Sequence, residues 1–296
     1  MIREFKKLGT GRKCFVIING FIIMILALAC LFPVLHVLAI SFSSKSAIVS
    51  GAVGIWPSGF TLINYDYIVK DARFHRSFLV SLQREALAIP ICLLLTLFAA
   101  YPLSYSKQKF HARQFYMWFF LVPMLFSGGM VPTYLVVSKT GLINSIWALV
   151  IPGAVTMYFV ILMQNFIKDL PDSIRESAFI DGAGHFTMLF RIILPLCRPA
   201  VATIILFIAI GHWNDWFGGM LYITNNWNSP LQTYLRTISI KFDMTMITSA
   251  ESIEMLVSDA GANTAKIFVA MVPILAVYPF IQRHFVTGIK LGSVKE

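Results

Sequence analysis

The sequence predicts an all-α membrane protein with six transmembrane helices and both termini on the cytoplasmic side. Three observations carry that expectation. The chain is 57% hydrophobic and only 13% charged, with a mean hydropathy of +0.75, more apolar surface than one soluble core of 296 residues would hide. Its apolar residues run on for about the length of a bilayer-crossing helix, without the two-residue alternation of a barrel strand. Its 24 Lys and Arg gather beside the ends of those runs, so the formal charge of +10 reads as a topology signal and not as a nucleic-acid surface.

Six strongly apolar stretches that contain no Asp, Glu, Lys or Arg serve as the ruler: Cys14–Ser44, Ala86–Ser106, Gln114–Ser138, Thr140–Ile167, Pro199–Asn214 and Ile267–Gln282. A hydrocarbon core of ~30 Å needs about 20 residues of helix. Spans are therefore expected near residues 14–40, 77–105, 113–137, 143–167, 196–222 and 263–283, the last two extending past Arg198 and Lys266. With the N-terminus inside, most basic residues, including Arg3, Lys6, Lys7, Lys107, Lys109, Arg113, Lys168, Arg175 and Arg191, fall on cytoplasmic segments. The first span stays apolar through Ile40. That is too long for a cleaved signal, although Ala27-Leu28-Ala29-Cys30 has a faintly cleavage-like pattern. The outer segment Ser41 to Arg76 holds Gly51, Gly54, Pro57 and Gly59 before Asn64-Tyr65, and is expected to be turn-rich and tethered by aromatics. A second outer segment, from about Asn225 to Asn263, has a short surface helix expected at Ala250–Val257. The four cysteines sit in or beside different spans and the six histidines are dispersed, so neither a disulfide framework nor a metal site is indicated. There is no linker, low-complexity tract or repeat, and a single domain over 1–296 is the simplest division.

Between the fourth and fifth expected spans lies a polar segment, 168–195. It contains Pro171-Asp172-Ser173-Ile174-Arg175-Glu176-Ser177-Ala178-Phe179-Ile180-Asp181-Gly182-Ala183 and ends on Ile192, Leu194 and Pro195. Ser173 and Glu176 have the spacing of a capping box, so a short helix is expected from Ser173. Ile174, Ala178 and Phe179 share one face of it, with Arg175 and Glu176 left in water. Gly182 supplies the turn that ends it. On these residues alone, the segment suits either a docking element at the membrane face or an amphipathic loop on lipid headgroups.

Glu176-Ser177-Ala178, then Gly182, then Ile192, Leu194 and Pro195 resembles in order and spacing the acid-Ala-Ala motif of ABC importer permeases. Asp181 is similar to the form seen in sugar importers, and Ser177 in place of alanine is the one departure. Ala100-Tyr101-Pro102-Leu103-Ser104, Phe126 to Tyr134, Trp213-Asn214-Asp215-Trp216, Pro230 to Arg236 and Tyr278-Pro279-Phe280 extend the resemblance over nearly the whole chain. They resemble the maltose-type, MetI-like carbohydrate permeases that import polysaccharide-derived oligosaccharides, mostly in Gram-positive bacteria. The resemblance implies a type I importer transmembrane domain, multi-pass in the plasma membrane. Its implied partners are membrane lipid, a homologous second permease, two ATPase subunits that carry ATP and Mg, an extracellular solute-binding protein and an oligosaccharide cargo. It also implies that Ser173, Glu176, Ser177, Ala178, Asp181, Gly182, Ala183, Ile192, Leu194 and Pro195 couple to the ATPase. The tail Lys290–Glu296 is similar to tails that reach the ATPases, and suits a frayed terminus equally.

Catalysis is not expected on the chain itself, which has no cofactor pattern. It contains no phosphate loop of the G-x-x-x-x-G-K-[ST] kind, no plausible nucleophile with base and no metal cluster. A stand-alone membrane transporter or membrane-embedded enzyme is the alternative, and the scarcity of ionisable residues within the spans argues against it. Polar groups in spans mark candidates for a translocation path. In Trp213-Asn214-Asp215-Trp216 the amide and carboxylate suit sugar hydroxyls and the indoles suit sugar faces, while an interfacial aromatic belt fits the same residues. Tyr134, Asn144 and Tyr158 are further candidates, and Arg84 is expected to pair with Glu85 at the mouth of the second span. Gly128-Gly129 near Pro132 marks an irregular helix end. The outer basic residues Lys70, Arg73, Arg76, Arg236 and Lys241 leave open a preference for acidic, uronate-containing cargo, against the plain reading of solvated loop charges.

Overall fold

The computed structural model describes residues 9–240 and 259–277, and every regular element among them is helical. The helix expected at Ala250–Val257, Lys241, the Tyr278-Pro279-Phe280 stretch and the tail Lys290–Glu296 lie outside the described residues. The chain divides into two compact units, Met1–Asp71 with Ile238–Val269, and Ala72–Thr237 with Ala270–Glu296.

In the first unit, α1 (Thr10–Ser41) is followed by the short helices α2 (Lys45–Val49) and α3 (Ile63–Lys70). At 32 residues α1 is about 48 Å long, more than a ~30 Å hydrocarbon core requires. Phe15, Phe21, Leu28 and Phe32 are exposed around it, and an all-round apolar helix is stable only against hydrocarbon or other apolar helices. Its C-terminal end is tied down as the sequence leads one to expect. Phe42 stacks on Phe60 at 5.5 Å and on Tyr65 at 4.9 Å. The Asn64 amide donates to the carbonyls of Ser41 and Ser43 at 3.0 and 3.1 Å, satisfying acceptors left free where the helix stops.

The second unit contains α4 (Ala72–Leu103), α5 (Arg113–Leu125), α6 (Met130–Lys139), α7 (Trp147–Val150), α8 (Met157–Lys168), α9 (Asp172–Ile180), α10 (His185–Leu196), α11 (Arg198–Asn214) and α12 (Phe217–Tyr222). Two further helices, α13 (Leu231–Ile240) and α14 (Asp259–Val277), straddle the division. Its core is built where α4, α8 and α11 meet. Ala88, Leu97 and Ala100 pack with Val160, Met163 and Ile167 and with Ala200, Ile204 and Ile208. Small residues at these contacts let the helix backbones approach closely, the usual source of packing energy within a bilayer.

Three described helices, α1, α4 and α14, are long and apolar enough to cross a membrane alone, and there are five such units if each of two bent pairs is one span. The first bent pair, α5 and α6, turns by 116° at the Gly128-Gly129 break, where Gly129 has φ +87°. The second pair, α10 and α11, turns by 87° between Pro195 and Pro199. The expected fourth span, 143–167, is not one helix. It divides into α7 and α8 around Pro152-Gly153, because proline has no N–H to continue the ladder, and α8 alone spans only about 18 Å.

Candidate coupling element and cargo cleft

The coupling candidate starts earlier than its sequence suggests. Pro171, with φ −56° and ψ 135°, is the N-cap of α9, no side chain caps the helix, and Asp172 rather than Ser173 opens the first turn. The capping box is therefore absent. The helix starts one residue early, where Asp172 places its negative charge at the positive end of the helix. Ser173, Glu176 and Ser177 are exposed, with Glu176 3.8 Å from Lys109 across a solvated gap worth about 0–1 kcal/mol. Ala178 is buried in the core and Ile174 half-buried, while Phe179 edges onto the His185 ring at 5.4 Å.

Arg175 reverses its expected exposure: it is only 6% exposed. Its guanidinium donates to the Ile167 carbonyl at 2.5 Å, an acceptor left free in the last turn of α8, and lies 5.3 Å over the Tyr105 ring. The Tyr101 hydroxyl bridges Tyr105 at 2.7 Å and His185 Nδ1 at 2.8 Å. One network thus joins the ends of α4 and α8 to α9 and α10.

Gly182 ends α9 as expected. It has φ +78°, its N–H donates to Phe179 O at 3.1 Å, and the Ala183 N–H reaches back to Ala178 O at 2.9 Å. These are the two bonds of a Schellman turn, with Asp181 at the C-cap. Beyond it, α10 carries a π-helical stretch over Met188–Ile193 that the sequence does not announce. Ile192 and Leu194 are half-buried against the core and Pro195 is exposed.

The path candidates do not form one surface. Trp213 is buried and its Nε1 donates to Ala270 O at 3.1 Å, Asn214 is exposed, and Trp216 lies under Arg236 with the guanidinium 5.2 Å from the ring. Asn144 has φ 62°, and its Oδ1 accepts from Thr224 N, Thr224 Oγ1 and Asn225 N at 2.7, 2.8 and 3.2 Å, so it acts as a bracket for that loop. Tyr134 stacks on Tyr222 with ring centroids 6.3 Å apart, and Tyr158 is 53% exposed beside Phe159 and Phe207. Of the basic residues expected on the outer side, Lys70 meets Asp66, Arg73 lies over Tyr234 and Arg76 donates to Asn228.

Arg84 does not pair with Glu85. Adjacent residues on a helix point to different faces, and Arg84, 3% exposed, donates to Asp215 Oδ2 at 2.6 Å and to Leu149 O at 3.1 Å. Asp215 Oδ1 accepts the Gly218 N–H at 2.9 Å, starting α12. A Cβ on Gly218 would stand 2.5 Å from Asp215 Oδ2, so only glycine allows that closeness. The Asp-x-x-Gly spacing was the available signal for this arrangement. Both Glu85 oxygens are buried and make no hydrogen bond to described residues. Among the described residues no three His, Cys, Asp or Glu are placed to hold a metal.

A helical membrane chain with a short amphipathic helix bound to the ends of its core helices has the makeup of a transporter permease. The family model described as "Binding-protein-dependent transport system inner membrane component" matches residues 79–291, and the chain belongs to that family. It is 39% identical over 263 residues to Protein LplC of Bacillus subtilis, covering 89% of this chain and 88% of that one. It is 38% identical over 286 residues to the polygalacturonan/rhamnogalacturonan transport system permease protein YtcP of the same organism, covering 94% and 97%. A solved bacterial ABC transporter involved in import of the acidic polysaccharide alginate superposes with a TM-score of 0.84 at 26% identity, covering 94% of this chain and 99% of that one. The fold is that of a type I ABC importer permease, and the chain is a permease subunit of such an importer.

Proposed function

We propose that this chain forms half of the membrane path for an oligosaccharide delivered by an extracellular binding protein. In this reading it is multi-pass in the plasma membrane of a Gram-positive cell, with six spans and both termini cytoplasmic. It assembles with a homologous second permease and two ATPase subunits that hold ATP and Mg, and needs no cofactor of its own. The segment 168–195 takes up the closure of the ATPases and passes it to the core helices as a rigid lever. The observation that carries this reading is the two-sided construction of α9. Its inner face is fastened through Arg175 and Ala178, while Glu176, Ser177 and Ile180, the last 86% exposed, form an open outer face. Cargo is proposed to be an oligosaccharide from an acidic polysaccharide, supported by the names of the permease YtcP and the alginate importer.

The test is transport by the complex reconstituted in liposomes with its partner subunits. Uptake of oligogalacturonide should require ATP and the binding protein, and Glu176→Lys or Gly182→Pro should abolish stimulation of ATP hydrolysis by loaded binding protein while the subunits still assemble. Uptake by this chain without ATPase subunits would instead favour a stand-alone transporter.

A further inference from the structure

Beside the Arg84–Asp215 pair lies a cleft of about 340 Å³, bounded by α4, by α7 and the broken stretch that follows it, and by α8, α11 and α12. Its walls include the aromatic rings of Phe159, Phe207 and Tyr222. Gly153 and Gly211 leave backbone uncovered along it. Two of its lining residues carry a buried atom that makes no hydrogen bond to described residues, Arg84 Nε and His212 Nδ1. Such atoms are rare in folded chains and each costs about 1–3 kcal/mol. Two residues with such sealed, unpaired atoms in the lining of one cleft, among aromatic faces, are the ingredients of a ligand site.

From this geometry we infer that the cleft receives an acidic sugar residue of the cargo, with Arg84 reading its carboxylate and His212 one of its hydroxyls. The inference rests on the oligosaccharide reading above and adds to it the residue that determines charge specificity. A guanidinium has five N–H donors. Arg84 commits NH2 to Asp215 and Leu149, while NH1 reaches Asp215 O only at 3.3 Å, so Nε and part of NH1 are uncommitted and serve a second anion once the side chain turns toward the cleft. Asp215 makes the cation tolerable within the helices, since an unpaired charge there is costly. Its carboxylate also keeps the Gly218 N–H bond if Arg84 turns away, so sharing Arg84 with an incoming carboxylate removes only one of the two hydrogen bonds to that carboxylate. A neutral sugar offers Arg84 hydroxyls alone, and hydrogen bonds between two charged groups are about twice as strong as neutral ones.

The experiment is calorimetric titration of the assembled transporter, without binding protein, using a galacturonate trisaccharide and its methyl ester. The two probes share their ring hydroxyls and differ in charge and in the small ester methyls. The wild type should bind the acid at least about tenfold more tightly than the ester. Arg84→Gln should remove that preference, Asp215→Asn should keep or enlarge it, and His212→Ala should weaken both probes by the same factor. Equal affinity of the two probes for the wild type, or an Arg84→Gln complex that still prefers the acid, overturns the inference. Should Arg84→Gln fail to assemble, the wild-type comparison and His212→Ala decide, since unchanged affinity for both probes in the latter places the sugar elsewhere. Absence of binding by either probe, with oligogalacturonide uptake intact, overturns this site and leaves the oligosaccharide reading standing. Absence of uptake of any oligosaccharide overturns that reading itself.

Discussion

Replacing Arg175 by methionine should uncouple the transporter without dismantling it. Methionine keeps the apolar stem and fills most of the space, but removes the hydrogen bond to Ile167 O at 2.5 Å and the guanidinium 5.3 Å over Tyr105. A hydrogen bond from a charged group contributes about 1.5–3 kcal/mol and a partly desolvated cation–π contact about 0.5–2. Against them stands the buried Arg175 Nε, which makes no hydrogen bond to described residues and whose removal returns about 1 kcal/mol. The net loss is then about 1–4 kcal/mol, which shifts the balance between seated and unseated α9 by about fivefold to a thousandfold. In the reconstituted complex, ATP hydrolysis stimulated by loaded binding protein should fall toward the basal rate while subunit stoichiometry holds. Arg175→Lys should recover part of the stimulation, since an ammonium reaches the carbonyl but lacks the planar face that covers the ring. Full stimulation in Arg175→Met would refute the view that this side chain fastens the lever.

Gly182→Ala puts a side chain at φ +78° with open space around it, so the penalty is purely conformational, about 1–2 kcal/mol, and should appear as weakened stimulation with little change in the melting temperature of the complex. Gly219→Ala tests packing. Its Cβ would lie 2.0 Å from Thr233 Oγ1 and 2.9 Å from Pro230 Cδ, and a loss of about 1–3 kcal/mol in thermal stability is expected. Asn144→Ala removes an acceptor of three hydrogen bonds at a left-handed backbone position. Proteolysis near Thr224 and Asn225 should accelerate if the bracket holds that loop, and an unchanged rate would show that it does not.

What was legible in the sequence was whatever depends on a residue's near neighbours. The uncharged runs locate α1, α4 and α14, and Gly182 marks the end of α9, because length, apolarity and left-handed backbone are local properties. Pro152-Gly153 was visible within the expected fourth span, yet the run's uniform apolarity hid the break it makes. The residues misread were those whose partners are distant along the chain. Arg175 looked like a wet residue on a helical face because Tyr105 is not a sequence neighbour, and Arg84 was assigned to adjacent Glu85 although Asp215 is 131 positions away. The cleft beside Arg84 draws on segments scattered from Arg84 to Tyr222, and of its lining the sequence marks only Asp215 as a path candidate and Arg84 as a charge in need of a partner.

The central claim, that α9 is gripped by an ATPase subunit, is most directly tested with a photo-crosslinking residue in place of exposed Ser177 in the complete transporter. The account predicts an adduct between this chain and an ATPase subunit whose yield changes when ATP binds. Adducts confined to lipid or to the extracellular binding protein would contradict it.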